Sequence, residues 1–99
     1  METKQYIPVA LFCEHYQAEV SFIMTLGELE LIHITIIEGT HSLDIEDLVH
    51  IERYLRLHDE LSINPEGIEA ILYLQQKIDT QQKEIARLKS LLKIYEHNL

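Results

Sequence analysis

Residues 20–40 read Val20-Ser21-Phe22-Ile23-Met24-Thr25-Leu26-Gly27-Glu28-Leu29-Glu30-Leu31-Ile32-His33-Ile34-Thr35-Ile36-Ile37-Glu38-Gly39-Thr40, and the apolar period changes partway through. Up to Leu26 the apolar side chains of Val20, Phe22, Ile23 and Leu26 recur at helical spacing. Gly27 is the natural residue to close such a helix, because glycine tolerates the left-handed backbone that follows a C-cap. From Leu29 to Ile37 the residues first alternate and are then rich in β-branched side chains, which predicts a strand. Glu38-Gly39-Thr40 supplies a turn, and His41-Ser42-Leu43 can return as a short second strand. A helix followed by a small hairpin is the core of a winged unit.

Upstream, Val9, Leu11, Phe12 and Tyr16 also fall at roughly helical spacing. Residues Tyr6 to Leu26 therefore read as two short helices joined near Gln17-Ala18, a helix-turn-helix. Downstream, Asp44 is placed to cap a third helix, with Glu46 and Asp47 in its positively polarised first turn. Leu48, Ile51, Tyr54, Leu55 and Leu61 make its apolar face, and Glu46, Glu52, Arg53, Arg56, Asp59 and Glu60 cover the other. That helix is expected to stop near Ser62-Ile63.

Asn64-Pro65 restarts the chain, Asn64 as N-cap and Pro65 at the first helical position, where its missing N–H costs nothing. Beyond it Ile71, Ile78, Ile85 and Leu92 recur every seven residues, and Leu74, Gln81, Leu88 and Tyr95 follow three positions later. This is a heptad seam with one polar interruption. A helix of roughly thirty residues spans about 45 Å, whereas a domain of this size has a radius of gyration of only ~13 Å. Ile71, Leu74, Ile78, Ile85, Leu88 and Leu92 are accordingly expected to form a homodimer interface. The architecture expected is mainly α: a winged helix-turn-helix body over residues 1–63, with a small β-wing, and a long coiled-coil dimerisation helix over 64–99, one structural domain overall.

Charge narrows the function. The chain carries 17 acids against 8 lysines and arginines, a net charge of −9. From Gln5 to Glu52 there is no lysine or arginine, but nine acids: Glu14, Glu19, Glu28, Glu30, Glu38, Asp44, Glu46, Asp47 and Glu52. These residues form the surfaces that would face phosphates, and phosphate contacts need cations or free donors. His15, His33, His41 and His50 are mostly neutral at pH 7 and add little. Nucleic acid and anionic membranes are therefore disfavoured as partners, and basic protein surfaces favoured.

Chemistry is sparse. The single cysteine, Cys13, forms no internal disulfide, which fits a reducing cytoplasm. Cys13 and His15 are two apart and diverge on a helix. His33 and His41 could meet across the hairpin, but lack a third ligand at a diagnostic spacing. The glycines at 27, 39 and 67 are isolated and make no phosphate loop. No catalytic residue, cofactor or metal is expected, and the chain does not read as an enzyme. No stretch reaches the ~18 apolar residues a membrane span needs. The apolar run Ile7 to Cys13 contains Pro8 and places bulky Phe12 before the cysteine, unlike an export signal.

The stretch Arg56-Leu57-His58-Asp59-Glu60-Leu61-Ser62-Ile63-Asn64-Pro65-Glu66-Gly67-Ile68 resembles a family pattern: Arg-Leu-x-x-Glu-Leu, a short link, then Gly-Ile opening the last helix. Leu11-Phe12-Cys13 is similar to the start of that family's first helix. On these residues and on layout along nearly the whole chain, the sequence resembles MerR-like proteins and, within them, the CbpM family of chaperone modulators. Leu26-Gly27 is kept, but Ser21 stands where DNA-binding relatives carry arginine, and Phe22 where a phosphate-bonding tyrosine often sits. Metal-sensing relatives use cysteines near the dimer helix, and this chain has none there. The resemblance implies binding to the J-domain of a DnaJ/CbpA-like co-chaperone and inhibition of its action on Hsp70. The acids expected to meet that basic partner are Asp44, Glu46, Asp47 and Glu52, with Asp59 and Glu60 as a second patch. The competing expectation is a MerR-type transcriptional regulator binding DNA as a homodimer.

Overall fold

The computed structural model describes residues 4–97. In chain order they form β1 (Tyr6–Pro8), α1 (Val9–Tyr16), α2 (Val20–Glu28), β2 (Ile34–Ile37), β3 (Thr40–Asp44), one 3₁₀ turn (Ile45–Asp47), α3 (Leu48–Leu61) and α4 (Pro65–His97). The three strands make an antiparallel sheet in the order β1-β3-β2. The protein is mainly helical, a winged helix-turn-helix followed by a long C-terminal helix. Residues up to Glu69 form one compact unit and those from Ala70 a second.

The core of the first unit follows the helical spacings. Val9, Phe12 and Cys13 from α1, Phe22, Ile23 and Leu26 from α2, and Ile51, Tyr54 and Leu55 from α3 are buried around Ile32, Leu43 and Ile68. Leu61, placed by its spacing on the apolar face of α3, is instead 64% exposed. It is the last residue of that helix, before Ser62 turns into the left-handed region at φ 56°. Phe22 stacks on His58 with ring centroids 4.3 Å apart, and His58 Nδ1 lies 2.9 Å from the Ile63 carbonyl oxygen. This pins the α3–α4 link to α2.

The local expectations are corrected at three points. Residues 6–8 form a strand, not the start of a helix: Tyr6, Ile7 and Pro8 pair with Asp44, Leu43 and Ser42, and Pro8 (φ −57°, ψ 137°) then turns the chain into α1. The strand read from Leu29 begins only at Ile34, because residues 29–31 are consumed in ending α2. Gly27 does not supply the left-handed residue there, since α2 runs on to Glu28. Glu30 does so, at φ 61°, with Leu31 N–H donating to Leu26 O at 3.0 Å and Glu30 N–H to Gly27 O at 3.0 Å. That is the Schellman pattern of hydrogen bonds. Gly27 is small for another reason: a Cβ there would lie 2.5 Å from Ile34 Cδ1. It lets the wing strand approach α2.

The starts of α3 and α4 follow the capping chemistry. Asp44 Oδ1 accepts from Glu46 N–H at 2.9 Å and so caps the 3₁₀ turn that leads into α3. Asn64 Oδ1 accepts from Gly67 N–H at 2.8 Å, with Pro65 as the first helical residue.

Candidate partner-binding surface

The helix-turn-helix and wing surface is distinguished first by its composition. On α2 the exposed residues are Val20, Ser21 and Glu28, preceded by exposed Glu19. Around the wing tip they are Ile36, Glu38, Gly39, Thr40 and His41. No cation interrupts either element. Lys4, upstream, approaches Asp44 Oδ2 at 3.8 Å. A surface that met phosphates here would bring carboxylates and isoleucine to them.

The six acids expected to bind a partner fall into three places. Asp44, Glu46 and Asp47 cluster near Lys4, Tyr6, His33 and Thr35. Two of them are occupied within the fold. Asp44 is 8% exposed, and its carboxylate serves the cap. Asp47 Oδ2 accepts from the His33 backbone N–H at 2.9 Å and sits 3.0 Å from His33 Nδ1. Glu46 is exposed.

Glu52 does not join that cluster. It shares a groove of about 500 Å³ with Tyr16, Leu55, Arg56 and Asp59. Seven residues separate Glu52 from Asp59, almost two helical turns, so both project from one face of α3. Glu60 is turned about 100° from Asp59 and lines a different hollow with Arg53, Arg56, Leu57 and Leu61. On α3, Glu52 and Asp59 thus share one groove, and Glu60 does not join them.

Tyr16 is the member of this groove that spacing alone misassigns to the core. Its ring stacks on Phe12 with centroids 4.4 Å apart, while its hydroxyl donates to Glu52 Oε1 at 2.6 Å. That hydrogen bond, with smaller contributions from desolvation and the Glu52 charge, holds the Tyr16 phenol above its ordinary pKa. The signal was present: a tyrosine four residues after a core phenylalanine can bury its ring edge and keep its hydroxyl wet.

The second unit is one helix. Its heptad residues Leu74, Ile78, Ile85, Leu88 and Leu92 are all exposed in the single chain, at 51–56%, and Ile71 is half-buried. Leu91, Ile94 and Tyr95 widen the apolar face towards the C-terminal end. Intrahelical pairs line the flanks, Lys83 with Asp79 at 3.1 Å and Arg87 with Glu84 at 2.6 Å. The Arg87 hydrogen bonds keep the Glu84 carboxyl below its ordinary pKa.

Reactive chemistry is thin. Burial raises the Cys13 thiol pKa, the direction that disfavours thiolate. His33 and His41 do not meet across the hairpin, because His33 precedes β2 and the residue opposite His41 is Ile36. Among the described residues no group of three or more histidine, cysteine or acidic side chains is arranged to hold a metal ion. No helix among them is long and apolar enough to cross a membrane.

Comparison with known proteins gives one match. No curated protein and no solved structure matches the chain. A family model described as "MerR HTH family regulatory protein" matches residues 7–90, spanning β1, the helix-turn-helix, the wing, α3 and most of α4. With these elements in this order, the chain belongs to the MerR helix-turn-helix family of regulatory proteins.

Proposed function

We propose that this protein is a non-enzymatic modulator that binds the J-domain of a DnaJ/CbpA-like co-chaperone and inhibits its action on Hsp70. The observation that carries the proposal is a helix-turn-helix and wing without a lysine or arginine from residue 5 to 52. Its exposed acids suit a basic helix. The α3 groove offers two carboxylates, Glu52 and Asp59, beside an aromatic ring and Leu55. Resemblance of residues 56–68 to the chaperone-modulator pattern supplies the partner. Electrostatic complementarity of this kind acts mainly on association rate and partner choice. The exposed seam of α4 supports a homodimer, with Ile78, Ile85, Leu88 and Leu92 buried between two copies. The site is proposed to act in the cytoplasm without metal or cofactor.

Calorimetry with an isolated J-domain, and Hsp70 ATPase stimulation with and without this protein, test the proposal together. Binding with suppressed stimulation is the expected result. An ATPase rate unchanged at saturating concentration overturns it. Family membership favours a second reading, DNA binding as a homodimer. Sub-micromolar binding to mixed-sequence duplex, with a steep salt dependence, would establish that reading instead.

A further inference from the structure

The wing has an open side. β2 is one of the two outer strands of the order β1-β3-β2, so one of its edges faces no other strand. The register identifies the groups on that edge. Glu38 and Gly39 both have positive φ, 50° and 77°, as in the type I′ turn, which makes Ile37 and Thr40 a hydrogen-bonded pair. Antiparallel pairs alternate. Ile36 opposite His41 is therefore non-bonded, Thr35 opposite Ser42 bonded, and Ile34 opposite Leu43 non-bonded. The N–H and C=O groups of Ile34 and Ile36 consequently point away from β3. No other backbone hydrogen bond among the described residues reaches them.

Sheet edges normally carry lysine, proline or a bulge that discourages pairing. Here the strand is Ile34-Thr35-Ile36-Ile37, without a charge or a proline, and Ile36 is 64% exposed. A groove of about 510 Å³ lined by Gly27, Glu30, Ile32, His33, Ile34 and Thr35 lies beside the start of the strand. Glu30 and Glu38 flank its two ends, both held in left-handed backbone. A second copy would bring the same acids and no compensating cation from residues 5–52. A basic segment would meet them with opposite charge.

We propose that the outer edge of β2 is a strand-addition site, taking an extended, lysine- or arginine-bearing segment of a partner protein as a fourth strand. Backbone hydrogen bonds to Ile34 and Ile36 provide the register, and the groove beside Gly27 takes a side chain. This edge is separate from the α3 groove, and its test needs no J-domain.

The test uses the full chain and a capped octapeptide alternating valine and lysine, with hydrogen exchange read residue by residue. The Ile34 and Ile36 amides should exchange rapidly in the free protein and become protected on peptide addition, while the Thr35 amide is protected throughout. A peptide N-methylated at every residue should bind at least about tenfold more weakly, having lost its donors on both edges. An octapeptide of valine and glutamate should not bind. Ile36→Pro removes an outward N–H without breaking the chain's own ladder and should abolish peptide protection while circular dichroism is kept. Should that variant misfold, Ile36→Lys serves the same purpose by placing a like charge on the edge. The proposal is overturned if Ile34 and Ile36 stay unprotected at millimolar peptide, or if the methylated or acidic peptide binds equally well. Protection that grows with protein concentration in the absence of peptide also overturns it, in favour of a second copy.

Discussion

The Tyr16 hydroxyl donates to Glu52 Oε1 at 2.6 Å, tying the end of α1 to the middle of α3 across 36 residues of sequence. Glu52 is thereby held at a fixed place in the groove it shares with Asp59. A carboxylate already oriented loses less rotamer freedom on binding than a free one. Tyr16→Phe should therefore weaken J-domain binding by a few-fold, chiefly through faster dissociation, with the thermal midpoint little changed. Surface plasmon resonance on the variant separates the two rates.

The three-way division of the acids predicts separate phenotypes. Glu52→Lys with Asp59→Lys should weaken partner binding at low salt and lower the thermal midpoint only slightly, through loss of the exposed Tyr16 hydrogen bond. Asp44→Ala should do the reverse, costing about 1 kcal/mol of stability through loss of the cap with affinity unchanged at a temperature where the protein is folded. Denaturant titration and calorimetry on the two variants check this. Equal loss of affinity in both would return Asp44 to the binding surface.

Gly27 and Ile34 give a double-mutant cycle. Gly27→Ala replaces a poor helix former by the best one, worth up to about 1 kcal/mol, but its Cβ meets Ile34 Cδ1 at 2.5 Å. Ile34→Val deletes that methyl. Gly27→Ala should be neutral or destabilising in the parent chain and better tolerated in the Ile34→Val background, where only the γ-carbon contact at 3.1 Å remains. A coupling energy near zero from urea unfolding would mean that α2 and the wing do not compete for this space.

At high pH the two perturbed phenols set the expectation. Burial raises the Tyr54 pKa, and the hydrogen bond to Glu52 raises that of Tyr16, both from an ordinary value near 10. A folded-state pKa above the unfolded one means that the neutral phenol is favoured by folding. The contribution is fully present below pH 10 and is lost as pH rises through the folded-state values. Thermal midpoints measured from pH 8 to 11.5 should fall above pH 10, and Tyr54→Phe should flatten that fall.

For α4, Ile85→Glu places a carboxylate in the centre of the apolar seam, where an unpaired buried charge is strongly disfavoured. Sedimentation should show a dimer for the parent chain and a monomer for the variant. A monomeric parent at tens of micromolar would assign the seam to a different partner.

Periodicity carried the helices well, because Phe12, Ile23, Ile51 and Ile68 recur where a single packed face requires them. Capping carried the helix starts: Asn64-Pro65 and Asp44 are local chemistry. Two elements escape both readings, one through tertiary pairing and one through a local helix end. Tyr6–Pro8 is a strand only because β3 lies beside it, and three residues have no period of their own. The apolar run from Leu29 looked continuous, yet Glu30 in left-handed backbone ends α2 inside it. The acids were legible as a charge, while their division among Asp44, Glu52 and Glu60 depends on helix phase and on which carboxylates the backbone already occupies.

The central place of β3 has a kinetic consequence. Its hairpin with β2 closes through two residues, an event of microseconds, whereas its pairing with β1 must enclose α1 and α2 within the loop. Pairing β1 with β3 thus closes a loop that holds α1, α2 and β2. Ile45 N–H donating to Gln5 O at 3.0 Å extends that closure by one more bond. Loosening residues 5–8 is therefore expected to free β3 on one side and the start of α1 on the other.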